Sequence, residues 1–171
     1  MNKNLVIVTA AAGLLAACAS NPEGAATASA RLSPASGSKV QGNITFTQAG
    51  PDAVRVRGEV TGHQAGMKGF HIHEKGDCSA PDATSAGGHF NPRAMKHGAT
   101  PAVGHAGDMG NLTFSDAGRA TIDTTFHGIT LDRNAPNSII GKAVVVHAGT
   151  DDQKTDPTGN AGGRVACGVI G

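Results

Sequence analysis

The chain has 171 residues, enough for one domain of ordinary size and too few for two comfortable ones. Its 14 Lys and Arg against 13 Asp and Glu leave neither a basic excess nor a positive stripe, which argues against a nucleic-acid partner. Twenty-five glycines, eight prolines, no Trp or Tyr and only five Phe suit many short strands and turns rather than long helices.

Residues 1–17 read as an export signal. Lys3 supplies a positive start, Leu5 to Ala17 is an apolar run too short to span a bilayer, and small residues precede Cys18. Leu15-Ala16-Ala17-Cys18 resembles the bacterial lipobox, whose cysteine becomes the first mature residue and is acylated; an ordinary secretory signal cleaved nearby is the alternative. Acyl chains contribute about 0.8 kcal/mol per buried methylene, so two or three anchor a soluble domain to a membrane. Ala19 resembles sorting to the outer membrane, and the expected location is the periplasmic side of the cell envelope, as an outer-membrane lipoprotein. With Lys3 removed, thirteen bases face thirteen acids and the mature chain is formally neutral. If Cys18 carries lipid, Cys78 and Cys167 are left in an oxidising compartment and can pair. That bridge would close a loop of about 90 residues, worth roughly 4 to 5 kcal/mol in the chain-entropy picture. The alternative is two free thiols or two metal ligands.

Residues 18–26 have little to bury and read as a lipidated tether, with one domain over 27–171. There the pattern turns to period two. Ala28, Ala30 and Leu32 alternate with polar residues, as do Val40, Gly42, Ile44 and Phe46, and then Val54, Val56, Gly58 and Val60. Gly50-Pro51-Asp52 marks a turn between the second and third runs. A fourth strand follows Gly66 and ends in Gly69-Phe70-His71-Ile72-His73, where alternation puts His71 and His73 on one face. Residues 76–110 lose all periodicity, and a loop of that length in a small domain is either functional or disordered. It carries Cys78, His89, His97, His105 and Asp108. Alternation returns at Leu112 and Phe114, turns at Asp116-Ala117-Gly118 and continues through Ala120, Ile122 and Thr124. Ile139 to His147 is the most apolar strand, with His147 on the face of Ala143 and Val145. After the polar loop 151–163 a last strand runs from Arg164 to Ile170. Eight strands without a convincing helix predict an all-β fold, an eight-stranded antiparallel Greek-key barrel or sandwich with long loops.

The histidines divide into two sets of different chemistry. His89, His97, His105 and Asp108 offer three imidazoles and a carboxylate from one loop, a closed tetrahedral set of the kind zinc favours. Metal bonds there would replace the apolar core the loop lacks. His71, His73 and His147 come from strands, and a rigid imidazole set suits copper, which tops the affinity order of the divalent metals.

At this point a resemblance covers residues 27–171. Gly69-Phe70-His71-Ile72-His73-Glu74, Gly87-Gly88-His89-Phe90-Asn91-Pro92, Lys96-His97-Gly98, His105-Ala106-Gly107-Asp108-Met109-Gly110-Asn111, Val145-Val146-His147 and Gly159 to Gly171 resemble, in order, the motifs of the copper/zinc superoxide dismutases. The resemblance implies copper held by His71, His73, His89 and His147, and zinc held by His89, His97, His105 and Asp108. His89 would bridge the two ions, and Asp151 would accept hydrogen bonds from the far nitrogens of His71 and His97. Arg164 would stand beside the open copper position and attract a small anion. Cys78 and Cys167 would form the disulfide that ties the loop to the last strand. The implied reaction is dismutation of superoxide to oxygen and hydrogen peroxide, with Arg164 and His89 as the catalytic residues.

Several expectations are particular to this chain. The loop 151–163 looks shorter than the family's electrostatic loop, and Lys154 is its only cation, so either Lys154 steers the substrate or Arg164 acts alone. His63 and His127 are read as surface residues. Ile140-Gly141 and Gly168 to Gly171 resemble contact segments of the family's common dimer, so a homodimer is expected, with a lipid-anchored monomer as the alternative. The rival functions are an exported module that buffers or delivers copper and zinc without turnover, and a metal-stabilised structural lipoprotein.

Overall fold

The computed structural model describes residues 24–171, so the expected export signal, Cys18 and most of the 18–26 tether lie outside the described residues. Eight strands follow one another: β1 Thr27–Pro34, β2 Gln41–Gly50, β3 Ala53–Thr61, β4 Gly66–His73, β5 Asp108–Phe114, β6 Arg119–His127, β7 Ala143–His147 and β8 Arg164–Val169. Among the described residues one 3₁₀ turn, Thr84–Ala86, is the only helical element, and no helix is long and apolar enough to cross a membrane. The strands lie in one antiparallel sheet in the order β5-β4-β7-β8-β1-β2-β3-β6. Curling brings the two edge strands, β5 and β6, together across the turn at Ser115–Gly118, and the result is a nearly closed Greek-key barrel.

Alternation explains the barrel's interior. Leu32, Ile44, Phe46, Val54, Val56, Phe70, Ile72, Phe114, Val144 and Val146 are buried in one cluster, while Arg55, Arg57 and Asp123 meet on the solvent face. Those exposed ion pairs add little stability, so the barrel is held by its apolar filling. A second, smaller cluster lies on the other side of the sheet, where Ala35, Ala83, Ala86, Ala143, Val145 and Cys167 pack with Cys78. The Cys78–Cys167 disulfide is present, its Cα atoms 5.8 Å apart, and it fastens the loop after β4 to β8.

Two strand boundaries and one surface assignment depart from the sequence reading. Strand β7 begins at Ala143 rather than Ile139, because Ile139–Lys142 forms a turn with Gly141 at φ 76°. Ile139 is fully buried all the same, so its apolar character marked an anchor of the core rather than a strand. Strand β5 begins at Asp108, four residues before Leu112, and pairs Asp108 with His71 of β4. Asp108, read as a loop residue, therefore stands on the sheet. His63 is also not a free surface residue: it is half-buried, its ring lies 5.0 Å from that of Phe114, and its Nε2 faces the His147 carbonyl at 3.1 Å. His127 is exposed, as expected.

Candidate metal centre

Strand pairing sets the geometry of the site. Phe70 and Ile72 of β4 lie opposite Val146 and Val144 of β7 and face the barrel core, which turns His71 and His73 outward beside Val145 and Ala143. His147 ends β7 on that outer face and pairs with Arg164 across a bulge. The long loop folds back over these residues. Ile72 N–H donates to Gly107 O, Phe90 N–H to Ile72 O, and Gly107 N–H to Phe90 O, at 2.8–2.9 Å, so a strip of loop backbone extends the sheet and sets His89 opposite His73. His71, His73, His89, His97, His105, Asp108, His147 and Asp151 are all buried as a result.

The sequence-predicted residues fall into two four-membered groups that share His89: His71, His73, His89 and His147, and then His89, His97, His105 and Asp108, the ligand atoms of each group within 4.8 Å of one another. In the second group the Nδ1 atoms of His89, His97 and His105 converge on Asp108 Oδ1 at 2.9, 3.1 and 3.2 Å. Bonds of about 2.0–2.2 Å to a tetrahedral zinc would space their ligand atoms about 3.2–3.6 Å apart, a spacing that the His89–His105 pair at 3.5 Å matches and the contacts to Asp108 approach from slightly below. In the first group His73 Nε2 and His147 Nε2 stand 3.3 Å apart, and the His71 and His89 rings are 4.1 Å apart.

The outward nitrogens complete the picture. His73 Nδ1 donates to Gly87 O at 2.9 Å and His147 Nδ1 to Gly162 O at 3.0 Å. His71 Nε2 and His97 Nε2 donate to the two oxygens of Asp151, each at 2.8 Å. Among the site imidazoles, His71 Nδ1 and His89 Nε2 are buried with no hydrogen-bond partner, and His97 Nδ1 makes no hydrogen bond either, although Asp108 Oδ1 stands 3.1 Å from it. Leaving such nitrogens unpaired in an interior is costly, and a bound cation relieves it. His89 is the one imidazole with both nitrogens turned inward, Nδ1 to the Asp108 group and Nε2 to the strand group.

Electrostatics agree with a set kept ready for cations. Burial pushes the His147 and His89 imidazoles down to about 3 and about 4, and holds His73 well below the ordinary histidine range, so all three stay neutral and able to bind metal. Burial alone would raise Asp151, but hydrogen bonds from His71, His97 and the Gln153 N–H bring it down to about 2. Gly159 closes over this carboxylate with φ 62°, and a Cβ there would run into Asp151 Oδ1 and His97 Nε2.

Sequence reasoning assigned no role to Asn111 or to the Gly87 and Gly162 carbonyls. Asn111 on β5 exchanges hydrogen bonds with the Asp151 backbone at 2.8 and 2.9 Å and so fixes the carboxylate behind both groups. Its place at the end of the His105–Asn111 motif was the available signal. Backbone carbonyls leave no mark in side-chain chemistry. Arg164 donates to Ala83 O and to Gly87 O, each at 2.6 Å. Gly87 O thus serves both Arg164 and His73, and the guanidinium lies near enough to disfavour protonation of His73 and His147. Lys154 is exposed in its loop.

A family model described as copper/zinc superoxide dismutase matches residues 40–170. The chain belongs to the copper/zinc superoxide dismutase family. A solved structure, described as the crystal structure of the clock protein EA4, is 46% identical, with a TM-score of 0.75 over 86% of this chain and 94% of that one. Copper and zinc are the family's cofactors, and the two histidine-rich groups are compatible with them.

Proposed function

We propose that this member of the superoxide dismutase family converts superoxide to oxygen and hydrogen peroxide, and does so in the cell envelope. In this reading copper is held by His71, His73, His89 and His147, and zinc by His89, His97, His105 and Asp108. The observation that carries it is His89, whose two nitrogens each face a separate ligand group.

Copper, when bound, supplies a reversible one-electron exchange with each of two successive superoxide ions. The chain's own residues do the rest. Arg164 is half-buried, and although burial lowers its pKa, a guanidinium keeps its proton at any ordinary pH. Clamped by Ala83 O and Gly87 O, it presents a fixed positive charge beside His73 and His147 that attracts and orients a small anion. His89 Nε2, with no protein partner, is the atom that can accept a proton and pass it to the reduced oxygen species. Asp151 holds His71 and His97 in one tautomer, and the Gly87 and Gly162 carbonyls do the same for His73 and His147, which leaves His89 as the imidazole of the strand group without an outward acceptor. Two superoxide ions and two protons give one oxygen and one hydrogen peroxide.

The experiment is superoxide consumption by the purified protein as isolated, after chelation, and after copper and zinc are restored, beside Arg164→Glu. Activity that follows copper, and that falls at least about tenfold in the Arg164 variant at unchanged metal content, supports the enzyme. Full occupancy of both groups without activity would favour metal buffering or delivery, because storage needs every ligand but not Arg164.

Residues 1–17 as an export signal, acylation of Cys18 and assembly as a homodimer belong to the same proposal. The lipobox-like Leu15-Ala16-Ala17-Cys18 supports the anchor, and the Cys78–Cys167 disulfide suits an oxidising compartment. Mass measurement of the mature amino terminus, with Cys18→Ser as the control, tests acylation; sedimentation tests the dimer.

A further inference from the structure

Of the six site imidazoles, His71, His73, His97 and His147 turn an outward nitrogen to an acceptor, and His89 turns both nitrogens inward. His105 is left. Its Nδ1 faces Asp108 Oδ1, so its Nε2 points away from the cluster. Standing 3.5 Å from that nitrogen is Asp156 Oδ1, on the loop after β7. The same oxygen accepts the backbone N–H of His97 at 2.8 Å. One carboxylate therefore touches two members of the group that would hold zinc, from a loop that shares no strand with them.

We propose that Asp156 is a positioning residue for zinc, holding His97 through its backbone and His105 through its ring. This rests on the zinc reading above. The arrangement divides labour between two acids. Asp151 is buried and reaches one histidine of each group, coupling the copper side to the zinc side. Asp156 has a half-exposed side chain and reaches only the zinc side. Its carboxylate, facing His105 Nε2 at 3.5 Å, favours the proton on that nitrogen and leaves Nδ1 as the metal-binding atom. Because solvent reaches Asp156, the clamp governs how quickly zinc leaves, while the copper group keeps all its own supports.

The test follows zinc release from the fully loaded protein into a chelator, for the native chain, Asp156→Ala and Asp156→Asn. Losing such a support weakens metal affinity about 10- to 100-fold, so Asp156→Ala should release zinc at least about tenfold faster. Asp156→Asn keeps an acceptor for the His97 N–H but loses the charge facing His105, and should fall between the two. With cobalt in place of zinc, the visible bands of both variants should shift, while the electron-resonance signal of bound copper and the unfolding midpoint of the metal-free protein stay as in the native chain. Unchanged release in Asp156→Ala would overturn the proposal. So would a parallel loss of copper and of metal-free stability, since that would make Asp156 a brace of the loop rather than a support of the zinc ligands. A native chain that takes up no zinc would remove the reading beneath both.

Discussion

The two faces of β4 and β7 are built from the same backbone and obey opposite rules. Inside the barrel, Phe70, Ile72, Val144 and Val146 are fully buried and need nothing but neighbours of the right volume. Outside, His71, His73 and His147 are buried just as deeply, yet His71 Nδ1 and, from the loop, His89 Nε2 make no hydrogen bond within the protein. The inner face gains stability as soon as water leaves. The outer face gains it when cations arrive, and until then it keeps polar imidazole nitrogens out of water with little to bind them. The loops that cover this face seat Phe90 and Ala106 in the barrel core and are otherwise held by a small alanine-rich cluster, a disulfide and the hydrogen bonds of Asp151 and Arg164. Burial in this protein therefore has two sources, and experiments can separate them.

Metal removal should separate them most widely. A ligand at a thousand times its dissociation constant stabilises by about 4 kcal/mol, and two tightly held ions exceed this, so chelation should lower the unfolding midpoint by at least about 10 °C. Calorimetry with and without chelator reads the difference; coincident midpoints would show that the outer face folds without help from ions.

Next in size is Ile72→Ala, on the strand that carries both histidines but facing inward. It should cost about 2–5 kcal/mol, and by the same amount in the loaded and metal-free forms, because the cavity opens in the barrel core. Urea unfolding of both forms checks this. A loss confined to the loaded form would mean that the inner face serves the site and not the core.

Acid should act on the outer face alone. In the metal-free fold, burial keeps His73, His89 and His147 below their unfolded value of about 6.5. As pH falls through about 6.5 the unfolded chain therefore takes up protons that the fold refuses, and stability drops steadily towards pH 4. Below that, Asp151, held at about 2 in the fold, extends the loss as the unfolded carboxylate protonates. Above pH 7 these groups add no slope. Urea midpoints at pH 7.5, 6 and 5 should descend in that order, and a rise on acidification would contradict the assignment of neutral histidines.

The smallest effect expected is that of His63→Ala, which removes a hydrogen bond to the His147 carbonyl and a ring contact with Phe114, at a cost of about 1–2 kcal/mol. Its interest lies in where it acts. Lys68 Nζ donates to Ala148 O at 3.1 Å, Gly69 N–H to Gly149 O at 2.9 Å and Thr150 Oγ1 to Met67 O at 2.8 Å, so with His63 four bonds pin residues 147–150 to the segment before His71. Copper spectra of the variant at neutral pH should show whether slackening this seam disturbs His147; an unchanged spectrum would leave His63 a contributor to stability alone.

Much of this could be read from one dimension. Period-two alternation locates strands because side chains of a half-covered sheet must alternate, and Ile44, Phe46, Val54 and Val56 stand where that rule puts them. His-x-His on such a strand must share a face, and the ordered motifs around His89, His97, His105 and Asp108 carry the family's signature. What alternation cannot register is long-range register. The pairing of Asp108 with His71 depends on a bulge between Gly69 and His71, which no local pattern records. Ile139 looked like a strand residue because hydrophobicity reports burial and not backbone conformation. His63 looked like a surface residue because its partners, Phe114 and the His147 carbonyl, lie 51 and 84 positions away and meet it only when the barrel closes. Residue types, then, settle the chemistry available to the chain, since an imidazole or a carboxylate keeps its affinities wherever it lies. Which nitrogen faces inward, which carbonyl receives the other, and that Asp151 and Asp156 meet at His97 while reaching His71 and His105 separately were decided by the packing of two loops on one face of a sheet, because orientation is a property of neighbours and only the fold supplies them.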